Sequence, residues 1–250
     1  MSATTTPAAS GPAFKDATRV LTSVLAPIEK RALVWLAHRM PARVNSDHLT
    51  GVALAAMAGA GLSFWLSSVW PPALVLVVVC LALNWFGDSL DGTLARVRRH
   101  QRPRYGFYVD HVVDAVGTLL LVGGMGLSGF MSPSVALMLL VAYFLLTIEV
   151  GLATHALGTF TISFFKVGPT ELRILLSIGA LALLAKPTAT ILGRELLLFD
   201  VGGVMAIAGL LATFGYSAAR NTVALYRSEP IPTQGVSARR TAEAIRPTRR

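Results

Sequence analysis

Asp88, Asp91, Asp110 and Asp114 sit at the ends of two long apolar runs, the first pair three residues apart and the second four. Those are helical spacings, so each pair presents its carboxylates on one helix face. Carboxylate oxygens suit hard divalent cations, and Mg²⁺ is commonly shared between a few carboxylates and the phosphates of a substrate. Two facing pairs could hold two such ions, which at a separation of about 4 Å clamp both oxygens of an in-line phosphoryl displacement. Between the pairs, Gly92 removes the side chain that would keep a phosphate from the helix backbone, Ala95 keeps the next turn thin, and Arg96 offers a planar fork for phosphate oxygens. The chemistry expected of this stretch is phosphoryl transfer. A plainer reading, four helix caps at the water boundary, leaves the register of Gly92 and Arg96 unexplained. A membrane transporter or ion pathway is the alternative function, because it too places carboxylates at helix ends. It would not need both pairs on one side of the membrane.

The elements that must hold these residues are membrane helices. Hydrophobic residues make up 54% of the chain and charged residues 14%, with a mean hydropathy of +0.61, which sets it apart from soluble domains. Runs of about 20 apolar residues, enough to cross the hydrocarbon core, extend over roughly His48–Val69, Pro72–Arg96, Phe107–Ser128, Ser132–His155, Thr170–Lys186 and Asp200–Tyr216. Pro71 and Pro72, Ser132 and Pro133, and Lys186 and Pro187 punctuate the connections. The predicted fold class is all-α and integral to the membrane, with six transmembrane helices preceded by an N-terminal interfacial amphipathic helix.

Asp88, Asp91, Gly92, Ala95, Arg96, Gly106, Asp110 and Asp114 fill, in order, every fixed position of a pattern that resembles the signature of the CDP-alcohol phosphotransferases. The resemblance implies an integral membrane enzyme of phospholipid synthesis, in which an alcohol attacks the phosphate of a CDP-linked alcohol and CMP leaves. It implies two Mg²⁺ or Mn²⁺ ions held by Asp88, Asp91, Asp110 and Asp114, with Asp114 also taking the proton from the attacking hydroxyl. Gly92, Ala95 and Arg96 then meet the nucleotide phosphates, and a homodimer is implied as well. The donor is a CDP-linked alcohol and the acceptor a lipid or a small polar alcohol, since one metal site serves both directions of the chemistry. At the entry to the first span, Ser46-Asp47-His48-Leu49-Thr50 is similar to the segment that lines the family's nucleotide pocket, which adds Asp47 and Thr50 to the candidate site. On the residues alone, Ser46 or Asp47 would serve as a helix cap.

A second stretch gathers Glu149, His155, Lys166, Glu171 and Arg173 around Gly158-Thr159 and Gly168-Pro169-Thr170-Glu171. It resembles, more loosely, the corresponding stretch of the eukaryotic choline and ethanolamine phosphotransferases, which join CDP-choline or CDP-ethanolamine to diacylglycerol. An imidazole with an ordinary pKa near 6.5 could relay a proton from an acceptor hydroxyl, so His155 joins Asp114 as a candidate catalytic residue. Glu149 could orient it or contact a cationic headgroup. Without that likeness, Thr170 and Glu171 simply start the fifth helix and His155 ends the fourth. Arg173, within a turn of Glu171, could neutralise it or bind a phosphate.

The net charge of +9 does not point to nucleic acid, because the cations lie in segments flanking the spans, where anionic lipid attracts each by about 1 kcal/mol. Lys15, Arg19, Lys30, Arg31, Arg39 and Arg43 precede the first span, and Arg96, Arg98, Arg99, Arg102 and Arg104 follow the second. By the positive-inside rule both termini and the aspartates face the cytoplasm, and a bacterial inner membrane is the expected location of this multi-pass chain. The expected organisation is a disordered leader over 1–13, a cytoplasmic interfacial segment over 14–46, the catalytic membrane domain over 47–226 and a basic disordered tail over 227–250. Cys80, mid-span, reads as a small apolar filler. Gly117, Gly123, Gly124 and Gly126 in the third span, and Gly202, Gly203, Gly209 and Gly215 in the sixth, are expected to let helices approach closely.

Overall fold

The computed structural model describes residues 26–157 and 168–229. The leader, the first part of the expected interfacial helix, Gly158, Thr159, Lys166 and the tail from 230 onward lie outside them. The described residues form α1 (Ala26–Arg39), α2 (Ser46–Leu66), α3 (Ala73–Val97), α4 (Pro103–Leu127), α5 (Pro133–Leu157), α6 (Pro169–Ala185), the strands β1 (Thr188–Ile191) and β2 (Arg194–Leu197), and α7 (Leu198–Ser228). Three of the helices begin on a proline, whose fixed φ suits the first turn and whose missing N–H is no loss there. The start of α2 is capped by Asn45, not by Ser46 or Asp47. Its side-chain oxygen accepts the His48 amide at 2.9 Å, while His48 Nδ1 accepts the Asn45 amide at 3.3 Å. That reciprocal pair releases Ser46 and Asp47 for contacts elsewhere.

Five helices, α2, α3, α4, α5 and α7, are long and apolar enough to cross a membrane. The run expected as the fifth span is the 17-residue α6, about 25 Å at 1.5 Å per residue and therefore shorter than the hydrocarbon core. Lys186-Pro187 stops it, and the chain continues as an antiparallel hairpin in which Thr188 pairs with Leu197 and Ile191 with Arg194. Leu192 and Gly193 turn that hairpin with φ of 50° and 76°, the left-handed pair of a tight two-residue turn. A loop was the expectation there; the β-branched Thr188, Thr190 and Ile191 favour the strand instead. The last helix runs 31 residues, well past the expected end at Tyr216.

α2 is the central element, packed on α3 along one side and on α4 along another. Ala60, Phe64, Leu74, Val77, Leu81, Leu121 and Met125 form the buried core between them. The α2–α4 crossing is backbone on backbone: a Cβ placed on Gly124 would lie 2.0 Å from the Gly61 carbonyl oxygen, and one on Gly61 would lie 2.1 Å from that of Leu120. On α7 only Gly203 serves this way, against Met131 and Val135 of the α5 side, while Gly202, Gly209 and Gly215 face open space. Long rows of exposed Leu, Val and Ile on every spanning helix give the outer surface the apolar character that lipid requires.

Two polar ties mark the opposite ends of the bundle. At one end Asp200 of α7 accepts the Ser132 amide at 2.6 Å and the Ser132 hydroxyl at 2.5 Å, fixing where α5 begins. An Asp200→Ala change should lower the melting temperature in detergent, at a cost of about 1–3 kcal/mol for losing charge-assisted hydrogen bonds, without disturbing the aspartates at the other end. At that other end α1 lies against α3. Leu33 and Ala37 pack on Leu49, Leu90 and Leu94, and Glu29 Oε1 accepts from Trp85 Nε1 at 2.7 Å, Thr170 Oγ1 at 2.8 Å and Ser89 Oγ at 3.2 Å. One carboxylate oxygen thus joins α1, α3 and the start of α6.

Candidate active site

The aspartates come from the last turns of α3 and the first turns of α4, which the 98–102 turn brings side by side. Arg99 takes φ 57°, the left-handed helix-ending conformation, and the His100 amide reaches back to the Ala95 carbonyl at 2.9 Å. The Arg98 guanidinium donates to the carbonyls of Met40 at 2.8 Å and Pro41 at 2.9 Å, and to that of Val44, so the α1–α2 link is bound to the end of α3. Arg102 pairs with Asp47, and that carboxylate raises the guanidinium pKa above its ordinary value. The α3–α4 turn is thereby tied to the start of α2.

Asp88, Asp110 and Asp114 each place a carboxylate oxygen within 4.8 Å of the others. Asp88 and Asp110 are half-buried, Asp114 exposed. Asp91 stands outside this group of three. Its Oδ2 accepts the Thr50 hydroxyl at 2.6 Å, its Oδ1 meets the Gly92 amide, and its backbone carbonyl accepts the Ser46 hydroxyl at 2.9 Å. Thr50, expected at the nucleotide, therefore holds Asp91 to α2. Arg96 folds back over Gly92: a Cβ there would lie 3.4 Å from Nη1, and Nη2 donates to Thr93 Oγ1 at 3.0 Å. Beside these residues an open cleft of about 410 Å³ is lined by Asn45, Asp47, Ala95, Arg98, Gln101 and Arg102, which brings the expected contacts Asp47 and Ala95 to one cavity.

Two residues of this site were not legible as such. Asn84, buried one turn before Asp88, donates from Nδ2 to the Ala53 carbonyl at 3.0 Å and accepts from Arg173 Nε at 2.7 Å. Arg173, read as a partner of Glu171 or a phosphate, instead donates from Nη2 to Asp88 Oδ2 at 2.6 Å. The sequence signal was an asparagine in an apolar run at helical spacing from an aspartate; nothing local linked it to Arg173. Glu171 closes the first turn of α6, accepting the Gly168 amide at 3.0 Å. Glu149 is buried between α5 and α7, where Oε1 accepts from Asn221 Nδ2 at 2.7 Å, and His155 is exposed in the last turn of α5.

Long apolar helices with acidic side chains gathered at one end define a multi-pass membrane protein with a polar site at a bundle end. The chain belongs to the CDP-alcohol phosphatidyltransferase family, whose sequence pattern matches residues 47–233. That match covers the helices from α2 through α7 and makes the protein a membrane transferase of phospholipid synthesis, acting on a CDP-alcohol donor and an alcohol acceptor. It removes the transporter alternative. No curated protein is similar enough to this chain to match it.

Proposed function

We propose that the protein transfers a phospho-alcohol or phosphatidyl group from a CDP-alcohol to an acceptor hydroxyl with the help of Mg²⁺ or Mn²⁺, releasing CMP on the cytoplasmic face. The observation that carries this reading is the convergence of Asp88, Asp110 and Asp114 oxygens within 4.8 Å. An all-oxygen donor set of that size fits a hard divalent ion. Asp88, Asp110 and Asp114 would hold it, with Asp91 completing the set for a second ion on release from Thr50. A bound ion would draw charge from the phosphoryl oxygens and ease departure of CMP. The cleft beside Asp47 and Ala95 takes the nucleotide, and Arg96 over Gly92 offers its planar fork to a phosphate. Asp114 receives the proton of the acceptor hydroxyl, since it is an exposed member of the carboxylate group, whereas His155 lies in the last turn of α5.

The same reading makes α6 a sixth, short span. Its first turn is bound to Glu29 at the aspartate end, and the hairpin after it leads to α7 where Asp200 meets Ser132 at the far end. A short hydrophobic stretch is accommodated by local thinning of the bilayer. α1, with Ile28 and Trp35 exposed and Arg39 stacked 3.9 Å over Trp35, lies on the cytoplasmic leaflet. The membrane is a bacterial inner membrane and the working unit a homodimer.

The test is CMP release by purified protein, with CDP-diacylglycerol plus polar alcohols in one arm and CDP-choline or CDP-ethanolamine plus diacylglycerol in the other. Metal-dependent release in either arm supports the reading and names the donor class. Release that survives complete chelation overturns the metal's role, and silence in both arms overturns the reaction.

A further inference from the structure

Arg173 reaches the aspartates from α6, on the helix face that Thr170 anchors to Glu29. Its Nε is fixed to Asn84, which is itself anchored to the Ala53 carbonyl, and its Nη2 sits 2.6 Å from Asp88 Oδ2. Both partners are largely shielded from water, at 15% and 23% exposure. The remaining nitrogen, Nη1, is buried without a hydrogen-bond partner among the described residues. A buried donor left unpaired is costly, so this guanidinium is incompletely satisfied where it stands.

We propose that Arg173 is a built-in counter-cation of the carboxylate group, which occupies Asp88 in the substrate-free protein and makes divalent-ion binding depend on the arrival of the nucleotide. The proposal rests on the metal reading of this site. Asp88, Asp91 and Asp110 crowd one end of the bundle and act on each other electrostatically, and the fold supplies a fixed positive charge in direct contact with one of them. A unit charge about 6 Å from a divalent ion changes its affinity by about tenfold even under the full screening of water, and by more in a less polar setting. Arg173 therefore weakens ion binding to the empty enzyme. When nucleotide phosphates bring further negative charge, the fork has a second acceptor for Nη2 and the unused Nη1, and Asp88 is released to the ion.

The test is Mn²⁺ titration of purified, substrate-free protein, following loss of the free-ion signal by electron paramagnetic resonance, with and without CMP. Arg173→Gln is expected to bind Mn²⁺ at least about tenfold more tightly than the wild type without nucleotide, and to melt at a lower temperature in chelator because the carboxylates lose their counter-charge. CMP should tighten Mn²⁺ binding more in the wild type than in this variant. Arg173→Lys, which keeps the charge, should bind Mn²⁺ as the wild type does. Equal or weaker Mn²⁺ binding by a folded Arg173→Gln protein overturns the counter-cation. A wild type that takes up no Mn²⁺ with or without CMP, while Asp200→Ala shows that the preparation tolerates substitution, overturns the metal reading and this inference with it.

Discussion

Asp114→Asn is expected to leave the protein folded and to reduce CMP release by at least about 100-fold and up to about 10⁴-fold, the range that a positioned general base supplies. Asparagine keeps the shape and one ligating oxygen but cannot take a proton. Asp114 is exposed, so the change strands no buried partner, and the melting temperature should stay near that of the wild type. The deficit should persist at saturating Mg²⁺, because extra ion restores occupancy and not the base. Normal turnover at saturating metal would take the proton role from Asp114, and recovery by metal alone would leave it as a ligand.

Gly124→Ala should be the most damaging single methyl group that can be added to this chain's α4. The new Cβ would lie 2.0 Å from the Gly61 carbonyl oxygen and 2.5 Å from its Cα, both backbone atoms that no side-chain rotation can move. Relief requires α4 to separate from α2, at a cost of about 1–3 kcal/mol or more for overpacking. α4 carries Asp110 and Asp114, while α2 carries α3 and hence Asp88, so the carboxylates would move apart and Mn²⁺ binding would fall with stability. The neighbouring Gly123→Ala meets nothing within 4 Å, and it should be neutral or stabilising by up to about 1 kcal/mol through helix propensity. Melting both variants in one detergent decides the matter. Equal behaviour would mean that the α2–α4 contact is looser than the structure describes.

Helical spacing within Asp88–Asp91 and Asp110–Asp114, and the polar break between two apolar runs, were enough to place the acidic residues at one end of adjacent helices. Periodicity is a local property, and each pair lies within a single turn of one helix. Apolar length was equally local, which is why the strongest spans, α2 through α5, lie close to their expected places. It misled where length was marginal. The apolar run at Thr170–Lys186 looks like any other until Pro187 and the β-branched residues after it divert the chain into a hairpin. The run from Asp200 looked shorter than α7 because a helix continues through polar residues once its first turns are packed.

Which donors meet across the bundle was another matter. Asn84 and Arg173 are 89 positions apart, as are no two residues of the aspartate motif, and only the packing of α6 on α3 brings them to Asp88. Asp91 fits the motif as well as its neighbours do, yet it is turned toward Thr50 because α2 presents a hydroxyl on that side. Glu29 gave no sign of serving α3 and α6 together. Residue type and spacing along one helix settled the chemistry available to this chain, because those follow from covalent order and a 3.6-residue turn. Tertiary packing decided which carboxylates converge and which cation they keep, because a hydrogen bond across helices depends on crossing points, such as Gly61 on Gly124, that no single helix encodes.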